Sequence, residues 1–499
     1  MRARLALAGV VTALSVAACG STVQLQGATT AGGDGLGTPG ASGAAGSDTA
    51  ASTAGGAGGT GVSGAPAGGG TGGAAAGSST PGPASAATSG ATGAHAAGAT
   101  SNKPVEIGIV IYPDVNAAAK SLGGSANVGD QKAEADTAIA WVNAHGGLNG
   151  HKLVPVYFSV SLTSTQPYSQ TYQEICATFT QDHHVAATIF IGNAENGLPA
   201  CITKGHSLLL THGHYLRTLQ EYASYPTMYA PEEVSSDRVA QALVNQIVGR
   251  GILKSGDKLG VLVMDYAGPN RALNAIVTPQ LKAKGIEVVS YSVPYPKSTP
   301  DIGNSVSAVQ SAELAMASRG VKAVTFFCPG CFNFFMQDAE SQAYYPRYVL
   351  TSYDDLLSTV AGKNHGRSLG NAVALSWSPV QDVSTFSHPD VEAGNATYAL
   401  CRKVEQKNIA DDASLYASLA LCGAVQDLYA AARASGTGAV TDATLAAGLG
   451  RLGSTHAGAA NFATALSGQR HDGAAAFTTM HYDSGCDCLA YDAAKPIAF

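Results

Sequence analysis

Hydrophobic positions come in short β-branched runs that alternate with longer amphipathic stretches, and the pattern begins only after about residue 103. Val105–Tyr112 (VEIGIVIY) predicts a strand buried on both faces. Residues 129–145 put Ala135, Ile139 and Val142 on one helical face, with Gly146-Gly147 as the stop. The pattern then predicts a strand at 153–159, a helix at about 168–182, a strand at 185–192, a short helix near 198–204 and a strand at 207–211. A second series follows Pro231: helix 233–250, strand 259–265, helix 270–284, strand 286–293, helix 302–319, strand 321–327, a helix near 333–343 and strand 348–352. Strands alternating with helices at this spacing predict parallel sheets covered on both faces. Two such series predict an α/β chain of two doubly wound parallel-sheet lobes. Ligands of such sheets bind beyond the carboxyl ends of the strands, so two facing lobes form an interlobe cleft.

Composition changes the picture before residue 103. Residues 31–100 hold 61 Gly, Ala, Ser or Thr out of 70, and their only charges are Asp34 and Asp48. Such a stretch lacks the apolar side chains that would offset the entropy of ordering it, and predicts a disordered linker. At the N-terminus, Arg2 and Arg4 precede an apolar segment, Leu5 to Ala18, of signal-peptide length. Val16-Ala17-Ala18-Cys19 then resembles the bacterial lipobox, which would make residues 1–18 a lipoprotein signal peptide and Cys19 the lipidated first residue of the mature chain. Cleavage after Ala18 to give a soluble secreted protein is the alternative. Residues 19–102 would form a tether with a root-mean-square span on the order of 50 Å. The formal charge of −7 and pI near 6.0 leave no basic footprint for nucleic acid. No run of 18 apolar residues follows the N-terminus, which argues against a multispanning membrane protein.

After Cys19 come Cys176, Cys201, Cys328, Cys331, Cys401, Cys422, Cys486 and Cys488. Eight thiols in an exported chain are most simply four disulfides; of the 105 connectivities, nearest-neighbour pairing is the expectation. Cys328-Pro329-Gly330-Cys331 follows a predicted strand and precedes a predicted helix, where a CxxC redox pair would also sit. His183, His184, His206, His212 and His214 invite a metal reading. No carboxylate or thiolate at ligand spacing completes a site, so no metal and no cofactor are expected. Asp354-Asp355 reads either as a helix cap or as an ammonium acceptor. Phosphate-loop and nucleophile-elbow motifs do not occur.

Several segments together resemble one family. Gly129-Asp130-Gln131, with the following helix ending Asn143-Ala144-His145-Gly146-Gly147-Leu148-Asn149-Gly150, resembles the opening of type 1 periplasmic-binding proteins, in the leucine/isoleucine/valine-type branch of ABC-transporter substrate-binding lipoproteins. The spacing of Cys176 and Cys201 is similar to a first-lobe disulfide of that branch. Asp265-Tyr266-Ala267-Gly268 looks like its second-lobe start, and Tyr416–Ala432, with Ala424-Val425-Gln426-Asp427-Leu428-Tyr429-Ala430, looks like its late first-lobe helix. The resemblance spans about residues 105–492. It implies two lobes joined by three crossovers, with lobe 1 at 103–230 and 378–478 and lobe 2 at 231–377 and 479–499. It also implies that the ligand's charged ends are held by Asn193, Ala194, Thr211, His212, Gly213 and His214 of lobe 1. From lobe 2 the matching positions are Tyr266 and Phe327 as apolar wall, Pro329, Tyr353, and Asp354 as ammonium acceptor.

The function this implies is not enzymatic: a membrane-anchored, extracytoplasmic protein that captures a small polar solute, an amino acid or related compound, for an ABC permease. A ligand-sensing surface receptor of the same fold, and a thiol oxidoreductase using Cys328 and Cys331, are the alternatives.

Overall fold

A computed structural model describes residues 103–121, 128–192, 195, 197–213, 215–354, 356, 365–383, 395–492 and 495–499. Cys19 with the 1–102 segment, and Asn193, Ala194 and His214 of the expected site, lie outside these residues. The first apolar run forms β1 (Val105–Ile111), with Ile107, Ile109, Val110 and Ile111 buried. It pairs in parallel with β2 (Leu153–Ser159) on one side and β3 (Ala187–Ile191) on the other. β4 (Leu208–His212) and β5 (Met228–Tyr229) complete a parallel sheet of order β2-β1-β3-β4-β5.

The second sheet is built on β6 (Lys258–Met264), flanked by β7 (Glu287–Val293) and β8 (Ala323–Phe327). β9 (Arg347–Thr351) and β10 (Val373–Ser376) continue it in parallel. β11 (Ala476–Asp483), β12 (Cys488–Tyr491) and β13 (Ile497–Ala498) then add antiparallel pairings, so this sheet is mixed rather than wholly parallel. The chain enters this sheet for the last time at Ala476, where β11 begins.

Period-two alternation sorts the second lobe into two cores. Leu259, Val261 and Val263 of β6 face the helix Ser236–Gly249, while Leu262 and Met264 face the opposite cluster around Phe326, Phe332 and Phe335. The first sheet is covered by the helix Gln131–Ala144, through Ala135, Ala138, Ile139 and Val142, and by the helix Asp412–Ser435. The stretch 414–435 of that second helix has the length and hydropathy of a membrane span, yet 89% of its most apolar part is buried in this core.

The motifs that carried the family resemblance are structural here. Asp130 caps its helix by accepting from Lys132 N and Ala133 N, and Gln131 Oε1 accepts the Tyr112 N–H at 2.7 Å, fixing the end of β1. Asn143 exchanges two hydrogen bonds with the Leu153 backbone, which sets the start of β2. Asn149, at φ 51°, donates to the carbonyls of Ala432 and Thr437 and ties this turn to the end of the long helix. All four disulfides join nearest neighbours: Cys176–Cys201, Cys328–Cys331, Cys401–Cys422 and Cys486–Cys488.

Between the two helices on the first sheet lies an acid with no exposure, Glu134, which accepts from Ser418 Oγ at 3.0 Å. Burial, and the neighbouring Glu405, push its carboxyl up to about 8; burial pushes Glu405 itself up to about 7. Both values stand above the ordinary 4.5, so the stabilisation from the bound protons is full below about pH 4.5 and is lost as pH rises through 7 to 8. Unfolding midpoints measured at pH 5.5, 7 and 8.5 should therefore fall with rising pH, and Glu134→Gln should flatten that slope. An unchanged slope in the variant would mean that Glu134 is ionised throughout.

Candidate functional site

Each sheet has a point where its strand order reverses: between β1 and β3 in the first, between β6 and β8 in the second. At such a point neighbouring connections leave to opposite faces, and the carboxyl ends open a crevice. The chain places tyrosines just beyond the carboxyl ends of four strands, two of them (β1 and β6) at the switch points. Tyr112 follows β1, Tyr215 lies three residues beyond β4, Tyr266 follows β6 by two residues, and Tyr295 follows β7 by two.

These ends meet across the two sheets. Tyr215 stacks on Tyr266 with ring centroids 4.4 Å apart, and Tyr295 stands edge-on to both, at 6.0 and 5.3 Å. The Leu216 N–H donates to the Tyr266 hydroxyl at 3.0 Å, and Gly268 packs so closely beneath the Leu216 carbonyl that a Cβ there would overlap it. Farther along, Tyr168 N donates to Lys297 O at 2.8 Å and Thr299 Oγ1 to Leu162 O at 3.2 Å. Arg217, 2% exposed, backs the Tyr215 ring at 4.6 Å. Burial holds the hydroxyls of Tyr266 and Tyr295 well above their ordinary range, so both stay neutral and able to donate or accept. Burial likewise raises the carboxyl of Glu195, which enters from the loop after β3, against the opposing effect of Lys297.

The expected site residues divide. Tyr266 lies in this junction, and Gly213 lies at its first-lobe edge, donating its N–H to Glu233 Oε1 at 2.6 Å and packing on the Gly192 carbonyl. Thr211 is a buried residue of β4, opposite Phe190. His212 has both ring nitrogens engaged within the fold, Nδ1 3.0 Å from Glu232 Oε2 and Nε2 2.7 Å from the Tyr416 hydroxyl. Phe327 and Tyr353 belong to the core around Trp377, and the Tyr353 hydroxyl donates to Val234 O. Asp354 closes its own turn, Oδ2 accepting from Thr351 N at 2.7 Å and Thr351 Oγ1 at 3.2 Å. Pro329 is buried in the turn between Cys328 and Cys331. The sequence reading missed Tyr112, Tyr215, Tyr295 and Glu195. The recurring tyrosine within three residues of a strand end was the signal that could have found the first three.

Behind the junction, the segments that carry the chain between sheets are bound to each other. Ala230 N donates to His471 O, Gly473 N to Ala230 O, and Asp472, with no exposure, takes Ser235 N and Arg238 Nε. Glu232 accepts from Ala460 N at 2.9 Å. Burial pushes the carboxyl of Glu233 up to about 7, and it also opposes charge on His212, but Glu232 and then Glu233 outweigh it and raise that imidazole. Burial similarly opposes the His456 charge, which its hydrogen bond to Asp427 restores. No group of three metal-ligating side chains occurs among the described residues.

No protein-family model and no curated protein matches the sequence. Solved structures do match. A fatty acid ABC transporter substrate-binding protein from Thermomonospora curvata is 14% identical, with 80% of this chain and 93% of that one covered at a TM-score of 0.56. An ABC transporter solute-binding protein from R. palustris in complex with 4-hydroxybenzoate is 12% identical over 80% and 97% of the two chains, TM-score 0.56. A branched-chain amino acid ABC transporter protein from Thermus thermophilus with bound valine is 11% identical over 80% and 96%, TM-score 0.55. The chain therefore has the type 1 periplasmic-binding-protein fold.

The Leu216–Gly268 contact gives a direct test of how tightly the two sheets' loops are held. Gly268→Ala forces backbone against backbone and should lower unfolding stability by about 1–3 kcal/mol, the usual cost of overpacking. Gly303→Ala, where a Cβ meets nothing within 4 Å, is the control and should not destabilise through a clash. Equal urea midpoints for the two variants would show that Leu216 yields freely.

Proposed function

We propose that this chain is an extracytoplasmic solute-binding protein, held to the membrane through a lipid on Cys19, that captures a small polar solute between its lobes and delivers it to an ABC permease. The observation that carries the reading is that carboxyl-end loops of both sheets meet in one tyrosine-lined junction. The loop after β4, with Tyr215, meets the loops after β6 and β7, with Tyr266 and Tyr295. The fold supports it, because its solved neighbours are substrate-binding proteins of ABC transporters. No bond is made or broken in this function; selectivity comes from leaving the buried hydroxyls and carboxylates unpaired when the wrong solute enters. The lobes, 103–230 with 378–478 and 231–377 with 479–499, would part and close about the segments near 231, 378 and 472. The thiol reading is weaker, since Cys328 and Cys331 are 1% and 2% exposed and a redox pair needs access.

Thermal unfolding against amino acids, amides, aromatic acids, short fatty acids and sugars tests the reading. A solute at 100 times its Kd adds about 2.7 kcal/mol and should raise Tm by roughly 2–4 °C for lobes of this size. A rise confined to one chemical class is expected. A flat response to every class, from protein stripped of carried-over ligand by unfolding and refolding, would count against solute capture.

A further inference from the structure

The amino-terminal rim of the second sheet, at the opposite end of its strands from the tyrosine junction, gathers positive charge. Arg250, Lys254 and Lys258 lie in the turn that leads into β6, and Lys282 and Lys284 lead into β7. Arg319 and Lys322 lead into β8, and Arg347 opens β9. Hydrogen bonds make these turns one surface: Gly256 N donates to Gly285 O at 2.8 Å, Lys258 Nζ to Arg319 O at 3.0 Å, and Arg347 N to Lys322 O at 2.8 Å. Three acids share it. Asp257 accepts from Lys254 N, Glu287 pairs with Arg319 at 3.2 Å, and Asp492 pairs with Arg250 at 2.8 Å. On the β9 side, Arg367 over the Tyr345 ring at 4.0 Å and Glu340 against His365 at 2.9 Å add one charge of each sign. Eight cations against three acids leave the rim at +5. Removing them from the chain's 28 basic and 35 acidic residues leaves 20 and 32, a balance of −12, so the rim opposes the sign of everything else.

Basic residues at helix C-termini offset the helix dipole, and Arg250, Lys282 and Arg319 stand at the ends of the helices Ser236–Gly249, Thr278–Lys282 and Ile302–Ser318. That need does not account for the rim. The helices Gln131–Ala144 and Tyr168–Ala177 of the first lobe end with no basic residue in their last turns, and Lys254, Lys284 and Lys322 lie outside any helix. Lys254, Lys282, Lys284 and Lys322 are exposed, with no carboxylate within 4.0 Å among the described residues, so their charge faces solvent rather than a partner in the fold. Ile252, Leu253 and Ile286 beneath them are buried, so the rim offers charge without an apolar anchor. Such a surface fits an array of phosphates. Residues 19–102 contain no lysine or arginine, so attraction to headgroups has to come from the folded part. With Cys19 lipidated as proposed above, a tether spanning on the order of 50 Å would hold that part over the bilayer, where a weak contact suffices. We propose that this rim docks the second lobe on the phosphate headgroups of an anionic lipid bilayer, with the junction-side loops turned away from the lipid.

Vesicle co-sedimentation of the mature chain, residues 19–499 with Cys19→Ala so that no acyl group contributes, tests this apart from both the anchor and solute capture. Phosphatidylcholine vesicles with about 30 mol% phosphatidylglycerol should bind at least tenfold more tightly than phosphatidylcholine alone at about 50 mM salt. The difference should vanish at about 500 mM, where screening acts within a few Å. The triple variant Lys282→Glu, Lys284→Glu, Lys322→Glu should lose at least tenfold in that binding with Tm unchanged, because none of the three has an ion-pair partner to lose. The control, Lys103→Glu, Lys152→Glu, Lys204→Glu, alters net charge equally at exposed lysines of the first lobe and should lose less than threefold. No preference for phosphatidylglycerol, or equal losses in the two triple variants, would overturn the proposal. So would binding of soluble polyphosphate with none to the vesicles, which would assign the rim to a soluble polyanion.

Discussion

The backbone of Leu216 is the point at which the two halves of the molecule are pinned together. Its N–H is spent on the Tyr266 hydroxyl and its carbonyl lies on the bare backbone of Gly268, so both backbone polar groups of this residue face one turn of the other half. Leu216 itself has no exposure and packs into the second lobe's core. This anchoring sets the angle at which Tyr215 arrives on Tyr266, and the stacked pair in turn supports Tyr295 edge-on. A hydroxyl, a missing Cβ and one buried leucine thus bring carboxyl-end loops of the two sheets together.

Behind that contact lies a cluster whose chemistry opposes its own burial. Glu232, Glu233, Asp427, His212 and His456 are all withdrawn from water where the chain passes between sheets. Ionised groups buried this way cost several kcal/mol each unless paired, and the pairings here are close and mutual: His212 with Glu232, His456 with Asp427, Glu233 with the Gly213 N–H. Such a network stabilises weakly but tolerates few alternative geometries, because every partner lost leaves a charge unpaired.

The elements that were legible in the sequence are those whose own composition settles their state. β1 and β6 are seven-residue, largely buried apolar runs, found within a residue of their predicted limits because a short apolar run bounded by turn residues suits a buried strand of an α/β chain. β10 and the β11–β12 hairpin were not legible. Val373–Ser376 is four residues long, and residues 473–479 (GAAAFTT) show neither alternation nor a β-branched run, so β11 depends on the edge that β10 supplies. At the site the difficulty was orientation rather than residue type. His212 and Asp354 have the right chemistry for a ligand, but strand parity turns one toward Tyr416 and a tight turn closes the other on Thr351. Glu195 lies in the run Gly192–Gly197, which has no periodicity at all, so nothing local marks it as a half-buried acid of the loop after β3.

Tyrosine is also a physical choice for such a junction. Phenylalanine rings would stack as well, but would give Leu216 no acceptor and Glu195 no partner for its N–H. Charged donors in the same places would have to be desolvated inside the junction. The hydroxyls of Tyr172, Tyr266 and Tyr295, neutral at pH 7 in water and raised further by burial, each remain both donor and acceptor. The charges that bear on the rings are mixed in sign, since Arg217 lies over Tyr215 while Glu221 and Glu195 oppose it, and uncharged hydroxyls sit among them without committing the junction to either sign.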